Sequence, residues 1–170
     1  MPLITLPPAA QLAAKIKAEL PGFAEVQWLE QVDSTNSQLI NRARQVEPES
    51  AQVRPMLLGA YHQTQGKGRG GRTWKDLDKT TLMFSCAFDV DMPATQLPML
   101  APLCGIVVCE QLRQLVGAAH EHRLSMKWPN DILFDGAKLS GLLVEAVRPA
   151  VGRFSAHHHV VVIGMGLNLS

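Results

Sequence analysis

The sequence predicts a mixed α+β fold in which a largely antiparallel central sheet packs on helices. Apolar runs of strand length and helical patterns follow one another without the strict βαβ alternation of a doubly wound sheet. Asp135-Gly136 separates two strand-like runs, which is a strong signal for an antiparallel hairpin. The 170 residues, 46% of them hydrophobic, can bury the core of one domain over residues 1–170.

The first predicted elements are a helix, a strand and a second helix. Apolar residues recur at intervals of four from Leu12 to Leu20, which predicts a short amphipathic helix over residues 8–20. Residues 26–32 form the first predicted strand. Residues 33–36, with the sequence Asp-Ser-Thr-Asn, then supply N-cap side chains for the next helix.

A glycine-rich cationic segment follows the next predicted strand, at residues 56–62. Residues 63–74 read Gln-Thr-Gln-Gly-Lys-Gly-Arg-Gly-Gly-Arg-Thr-Trp. Glycines let the backbone approach a ligand closely, and the cations favour an anion such as a phosphate. The segment also satisfies G-x-G-x-x-G, but no helical pattern follows, which disfavours a dinucleotide site. A solvated basic hairpin tip is the other open interpretation.

A second apolar strand is predicted at residues 81–88, and a long helix at residues 97–116. The helix window is the most apolar of the chain, but it contains Glu110 and Arg113. We therefore expect a helix buried beneath the sheet and not a membrane span.

Residues 124–128 predict a strand that ends in Lys-Trp-Pro-Asn-Asp, residues 127–131. Pro129 stops regular strand pairing, so Lys127 is expected to point into a cleft and meet an anion. A solvated lysine on a strand edge is the alternative for this residue.

The chain closes with a hairpin and a last strand. Residues 132–134 and 138–147 flank the Asp-Gly turn. Residues 160–163 predict the final strand, which runs into a Gly-x-Gly segment. We expect this strand to be a sheet edge that needs covering.

Composition argues against several classes of protein. Sixteen cations and fifteen acids give a net charge of +1, so no global field points to nucleic acid or an acidic membrane, and any anion site must be local. Three cysteines without a C-x-x-C pattern predict neither a disulfide framework nor a metal site. His157, His158 and His159 are adjacent, so they would alternate across a strand instead of converging on one ion. The N-terminus lacks a signal-peptide pattern, so the cytoplasm is expected.

Four segments occur in the order of one known pattern. They are residues 33–36, 63–74, 127–131 together with 138–145, and 164–168. Together they resemble the catalytic domain of biotin–protein ligases, which has a class II synthetase-like fold. The resemblance covers the chain from about residue 28 onward.

The resemblance implies a two-step reaction. Biotin and MgATP give biotinyl-5′-AMP and pyrophosphate, and a lysine of a carrier protein then attacks the mixed anhydride. The implied substrates and ions are biotin, ATP and Mg²⁺. The implied partner is the biotin carboxyl carrier protein or domain of a biotin-dependent carboxylase, and a homodimer is left open.

The resemblance also implies roles for individual residues. The catalytic residues would be Lys127 and Arg69, and no residue is assigned to a metal. The residues implied to bind biotin are Ser34, Thr35, Asn36, Gln63, Gly66, Lys67, Gly68, Arg69, Lys127 and Gly141. Those implied on the nucleotide side are Arg69, Arg72, Trp74, Asn130 and Asn168.

The sequence departs from the family pattern in two places. Lys67 stands where the loop usually has arginine, which keeps the charge but loses the planar fork. The chain also ends at residue 170, so we expect a catalytic domain truncated at its C-terminus, and we expect no N-terminal DNA-binding domain. Two alternatives stay open: a lipoate or octanoate ligase or transferase of the same fold, and a non-catalytic biotin-binding module.

Overall fold

A computed structural model describes residues 6–44, 54–74, 80–149 and 155–169 of the chain. The surface loop predicted at residues 47–50 lies outside these ranges. Within these ranges, three α-helices and seven strands form in the order α1 (Ala9–Glu19), β1 (Glu25–Val32), α2 (Thr35–Arg44), β2 (Met56–Gln63), β3 (Thr81–Asp91), α3 (Leu100–Val116), β4 (Leu124–Lys127), β5 (Asp131–Phe134), β6 (Ala137–Val147) and β7 (His158–Asn168).

The seven strands form one sheet in the order β1-β2-β3-β7-β6-β5-β4. Only the β1–β2 pair is parallel, and the other five pairs are antiparallel. The predicted class, a mixed and largely antiparallel sheet packed on helices, is confirmed. The hairpin signal is confirmed too: Asp135 and Gly136 have φ values of 50° and 79°, which a type I′ turn between β5 and β6 requires.

Helices cover both faces of the sheet. On one face, the apolar side of α2 packs Leu39 and Ile40 against Leu58, Val160 and Val162. The opposite face is covered by α1 at the β1–β3 end and by α3 at the β4–β7 end. The face that carries α2 keeps room beyond the helix N-terminus, and the candidate site lies there.

Strand β7 differs from its prediction in length and position. It runs through the Gly-x-Gly segment to Asn168 and lies between β3 and β6. The expectation of an uncovered edge at residues 160–163 was therefore wrong, because eleven residues of β3 and eight of β6 pair with β7. Pairing across glycines is possible because the strand hydrogen bonds need no side chain.

Helix α3 was expected to be buried and is not. Only Gly105 and Cys109 of the helix are buried, and its outer face exposes Leu103, Ile106 and Leu115. A sequence window that is apolar all round does not show which side packs, and only one side of α3 meets the sheet. Residues 97–116 are long and apolar enough to cross a membrane by length and composition. Core helices of many globular proteins meet the same criterion, so it decides nothing about a membrane.

The histidine triplet ends in an ordinary strand. His158 Nε2 lies 2.9 Å from Asp89 Oδ1, and His159 Nδ1 lies 2.8 Å from the carbonyl oxygen of His157. Within the described ranges, no group of three or more histidine, cysteine or acidic side chains could hold a metal ion.

Candidate functional site

A row of paired residues crosses the sheet on the face that carries α2. Lys127 pairs with Asp131, Asp131 with Gly141, Gly141 with Gly166, and Gly166 with Met83. Paired residues of neighbouring strands project to the same face. The row therefore has charged side chains at its β4 end and two glycines in the middle, which leave a flat floor.

The indole of Trp74 rests on this glycine floor. A Cβ atom built on Gly166 would lie 2.3 Å from Trp74 Cζ2, and one on Gly141 would lie 2.9 Å from Trp74 Cζ3. Lys138 Nζ lies 5.1 Å from the centroid of the ring on the same side of the sheet. The buried indole N–H donates to no partner within the described residues.

The N-terminus of α2 forms the polar end of the site. The Thr35 backbone N–H donates to Gln63 Oε1 at 2.8 Å, and Ser34 Oγ caps the helix by accepting from the Ser37 N–H at 3.4 Å. The Thr35 and Ser85 hydroxyl oxygens are 2.7 Å apart. Ser34 and Thr35 are almost fully buried, so their hydroxyls are held in place and do not rotate freely in solvent.

A carboxylate fixes the orientation of the Asn36 amide. Asn36 Nδ2 donates to Glu145 Oε2 at 2.9 Å, which leaves Oδ1 to accept the Ser85 hydroxyl at 2.5 Å. The Thr35 hydroxyl donates to Gln63 Oε1 at 3.2 Å, and its oxygen faces the Ser85 hydroxyl. The chain of bonds connects β6 with the helix start and makes the polar end a rigid surface.

The glycine-rich segment folds as a small hairpin above this surface. Gly68 N–H donates to Arg72 O at 2.7 Å, Trp74 N–H donates to Gly66 O at 2.9 Å, and Lys67 pairs with Thr73. Gly70 at the tip has φ of 68°. No α-helix opens in the motif, as predicted. The hairpin interpretation is partly right as well, but this hairpin also covers a cavity and is not a purely solvated tip.

The cavity enclosed by these parts has a volume of about 50 Å³. The residues that line it are Ser34, Thr35, Asn36, Gln63, Lys67, Gly68, Arg69, Trp74, Phe84, Asn130, Asp131, Lys138, Gly141, Leu142, Leu143, Gly164, Met165 and Gly166. A wider, mainly apolar groove of about 470 Å³ opens beside it and shares four lining residues with it, Arg69, Asn130, Leu142 and Leu143. The two spaces together suit a ligand made of two parts.

Most of the residues singled out from the sequence therefore come together. Ser34, Thr35, Asn36, Gln63, Lys67, Gly68, Arg69, Trp74, Asn130 and Gly141 line the cavity.

Four of the singled-out residues lie outside the lining. Gly66 and Arg72 line a second depression, next to the glycine hairpin. Asn168 donates to the Lys138 carbonyl oxygen at 3.0 Å. Lys127 has an exposed side chain at the end of the paired row, on the face that carries the cavity.

Sequence reasoning missed Lys138 and Asp131 as cavity residues. Lys138 Nζ lies 2.8 Å from Asp131 Oδ1. Both belong to segments that the family pattern includes, but a motif does not show on which face of a strand a residue lies.

One titratable group beside the polar end is perturbed. Asp33 Oδ1 accepts from Gln38 Nε2 at 2.8 Å and from the Ser34 N–H at 2.7 Å. These bonds, the Gln38 bond foremost, hold the pKa of Asp33 below its ordinary value, with a smaller contribution from the charge of Lys67. The Asp33 carboxylate is therefore ionised at neutral pH and fixes the entry to α2.

Comparison with known proteins decides the family. Residues 28–168 match the model of the biotin/lipoate A/B protein ligase family. The chain belongs to this family. This match and the biotin ligases among the relatives described next together confirm the resemblance to biotin–protein ligase catalytic domains that the motifs indicated.

Relatives of this ligase-family chain include two bacterial enzymes. The biotin–[acetyl-CoA-carboxylase] ligase of Mycobacterium tuberculosis is 32% identical over 88% of this chain and 51% of its own length. The bifunctional ligase/repressor BirA of Escherichia coli is 32% identical over 98% of this chain and 47% of its own length. The chain thus spans about half the length of these relatives.

Solved structures give the same result. The biotin protein ligase of Aquifex aeolicus in complex with biotin and ATP matches with a TM-score of 0.55 and 31% identity, over 86% of this chain and 53% of that one. The biotin acetyl-coenzyme A carboxylase synthetase of Helicobacter pylori, with bound biotinylated ATP, matches with a TM-score of 0.61 and 25% identity, over 85% and 60%.

Proposed function

We propose that this chain carries the biotin-binding and nucleotide-binding part of a biotin–protein ligase. The reaction condenses biotin with MgATP to biotinyl-5′-AMP and pyrophosphate, and then transfers biotin to a lysine of a carrier protein. The observation that carries the proposal is the cavity itself: a buried polar end, a glycine floor and a cationic hairpin meet in one place, in a relative of proteins solved with biotin and ATP.

The polar end is suited to the ureido ring of biotin. That ring presents two N–H donors and one carbonyl acceptor, so it needs fixed partners of both kinds. Ser34, Thr35 and Gln63 supply hydroxyl and amide groups that are already oriented by the hydrogen bonds of α2 and β2. Partners held in position before binding lose little freedom when the ring arrives.

The cations are suited to the charge that develops during adenylation. Bringing a carboxylate and a phosphate to about 4 Å costs about 4 kcal/mol at an effective dielectric constant near 20. Lys67 and Arg69 line the cavity from the hairpin, and Lys127 lies on the same face of the sheet. Cations placed where two anions meet lower this cost.

The hairpin would open for the ligands and close over them. A volume of about 50 Å³ is well below the roughly 300–1,000 Å³ of pockets that hold small-molecule ligands. The exposed Lys67 and Arg69 belong to the hairpin and not to the sheet, so the hairpin is the part that can move. Closure would exclude water and protect the anhydride from hydrolysis.

Mg²⁺ fits this site as part of MgATP. Among the described residues, Asp131 is the one carboxylate that lines the cavity, and no cluster of three metal ligands exists. Mg²⁺ is commonly held by substrate phosphates with few protein ligands, so one carboxylate is compatible with it. When bound, it would neutralise charge on the leaving phosphates.

The partner is proposed from the relatives. Their names as acetyl-CoA-carboxylase ligases point to the carrier protein or domain of a biotin-dependent carboxylase. A homodimer, the lack of nucleic-acid and membrane partners, and the cytoplasmic location stay predictions.

Three measurements test the function. Calorimetry with biotin and lipoate side by side should show binding of biotin, and preference for lipoate would favour the alternative enzyme of this family. Exchange of labelled pyrophosphate into ATP should depend on biotin, and biotin binding without exchange would favour a non-catalytic module. Mass spectrometry of a carrier domain after incubation with biotin and ATP should show one biotinylated lysine.

A further inference from the structure

A β-bulge turns the side chain of Lys138 toward the cavity. On β5 and β6, Ile132 pairs with Ser140, but the next residue, Leu133, pairs with Lys138. Leu139 is therefore the extra residue of the bulge. Strict alternation from Gly141 would place Leu139 on the cavity face and Lys138 on the α3 face. The bulge reverses this, because Leu139 packs with the α3 cluster and Lys138 lines the cavity.

The room for Lys138 depends on the glycine floor. A Cβ atom built on Gly141 would lie 3.0 Å from both Lys138 Cε and Lys138 Nζ. The ammonium group thus lies directly above the floor, beside the ring of Trp74. The bulge in the backbone and the lack of a side chain on Gly141 together place the Lys138 ammonium group at the centre of the site.

Asp131 forms an ion pair with this cation. Its carboxylate oxygen lies 2.8 Å from Lys138 Nζ, and Lys127 is the residue of β4 that pairs with Asp131 in the sheet. The side chains of Lys138 and Asp131 are 44% and 21% exposed. Ion pairs this accessible to water contribute little stability, so a ligand anion can replace the carboxylate at small cost.

We propose that Lys138 is a second anion-binding ammonium of the site: it exchanges Asp131 for the anionic group of the ligand, the carboxylate of the acid or the phosphate of the nucleotide. The proposal rests on the proposed function for the identity of the ligand. Lys138 then binds the ligand beside Lys127, and the Asp131 carboxylate competes with the ligand for the Lys138 ammonium group.

Opposite effects of two substitutions separate this role from a structural one. Lys138→Met keeps the long apolar chain beside Trp74 but removes the charge. It should weaken binding of the anionic ligand by about tenfold or more, which is the usual effect of losing a hydrogen bond to a charged group. Asp131→Asn frees the ammonium and should leave the binding of biotin, measured without MgATP, unchanged or tighten it. If Lys138 served only to hold Asp131, both substitutions would weaken binding alike.

The experiment compares these variants in the purified chain. Calorimetry would use biotin and its neutral carboxamide, and pyrophosphate exchange would give the KM for ATP. Weaker binding of biotin by Lys138→Met with unchanged binding of the carboxamide assigns the lysine to the carboxylate. A raised KM for ATP with unchanged biotin binding assigns it to the phosphate. The exposed Lys15 on α1, changed to Met, is the matched control and should alter neither value.

Two results would overturn the inference. Lys138→Met with wild-type values for biotin and ATP removes the residue from ligand binding. Equal losses in Lys138→Met and Asp131→Asn make the pair a structural contact. Failure of the proposed function is a different result, because the unchanged chain would then bind no biotin and exchange no pyrophosphate.

Discussion

Asn36 lies directly above Gly164, and a Cβ atom built on Gly164 would lie 2.1 Å from Asn36 Oδ1. The start of α2 thus approaches β7 closely enough that only glycine fits between them. This approach lets Asn36 reach Glu145 on the neighbouring strand and fixes the hydrogen-bonded polar end of the cavity.

Gly164→Ala should displace Asn36 and disrupt this polar end. An added methyl group in a packed position costs about 1–3 kcal/mol, and we expect biotin affinity to fall by at least about tenfold as the amide moves. Chemical denaturation and calorimetry measure the two effects. Gly22→Ala is the matched control, because a Cβ atom there meets nothing within 4 Å. Normal biotin affinity in Gly164→Ala would show that Asn36 is not part of the binding surface.

Lys127→Ala should lower the rate of adenylate formation without unfolding the protein. The side chain is exposed, so its removal leaves the core unchanged. Loss of one group that stabilises developing charge reduces turnover by about 10²–10³-fold. Biotin-dependent pyrophosphate exchange measures the reaction, and the melting temperature reports on the fold. Near-normal exchange would remove Lys127 from its proposed role.

Lys67→Arg should slow the release of biotinyl-5′-AMP. Arginine restores the planar fork that can hold a phosphate with two hydrogen bonds, so we expect release to slow by up to about tenfold. Rapid dilution of the preformed complex, followed by quantification of free adenylate, measures the rate. Lys15→Arg on the exposed side of α1 controls for a lysine-to-arginine change as such. Faster escape of the adenylate would contradict the proposed contact.

Asp33→Asn should change how stability depends on pH. The Gln38 bond lowers the pKa of Asp33 in the folded protein below its ordinary value of 3.8. The ionised carboxylate therefore stabilises the fold above the unfolded pKa, and this contribution is lost as the pH falls through the folded pKa. We expect Asp33→Asn to be less stable than the wild type at pH 7 and to lose less stability between pH 5 and 2. Urea denaturation across that range measures the difference. A difference that is constant with pH would show that the carboxylate charge is not involved.

Sequence patterns identified the elements and most of the cavity because local chemistry determines them. Gly136 in the β5–β6 turn and the polar residues at the start of α2 have local conformations that only a few residue types favour. The order of the motifs then indicated the correct protein family. The spacing of apolar residues was sufficient to predict that each helix and each strand exists and which of the two it is.

Tertiary pairing determines the features that the sequence did not reveal. The strand at residues 160–163 continues to Asn168 because β3 and β6 pair with it on both sides. The face on which Lys138 lies depends on a bulge one residue long, which no motif encodes. The exposed side of α3 could not be predicted either, because the sequence does not distinguish apolar residues that pack against the sheet from apolar residues that face solvent.

The paired row that forms the floor joins β3, β7, β6, β5 and β4, so residues 83 and 166 must be neighbours before any pocket exists. We therefore expect ligand binding only in chains in which β7 has inserted between β3 and β6. Biotin would then report on completed folding. A ligand that binds only the complete sheet raises the apparent melting temperature of the protein, and the increase follows the logarithm of the biotin concentration.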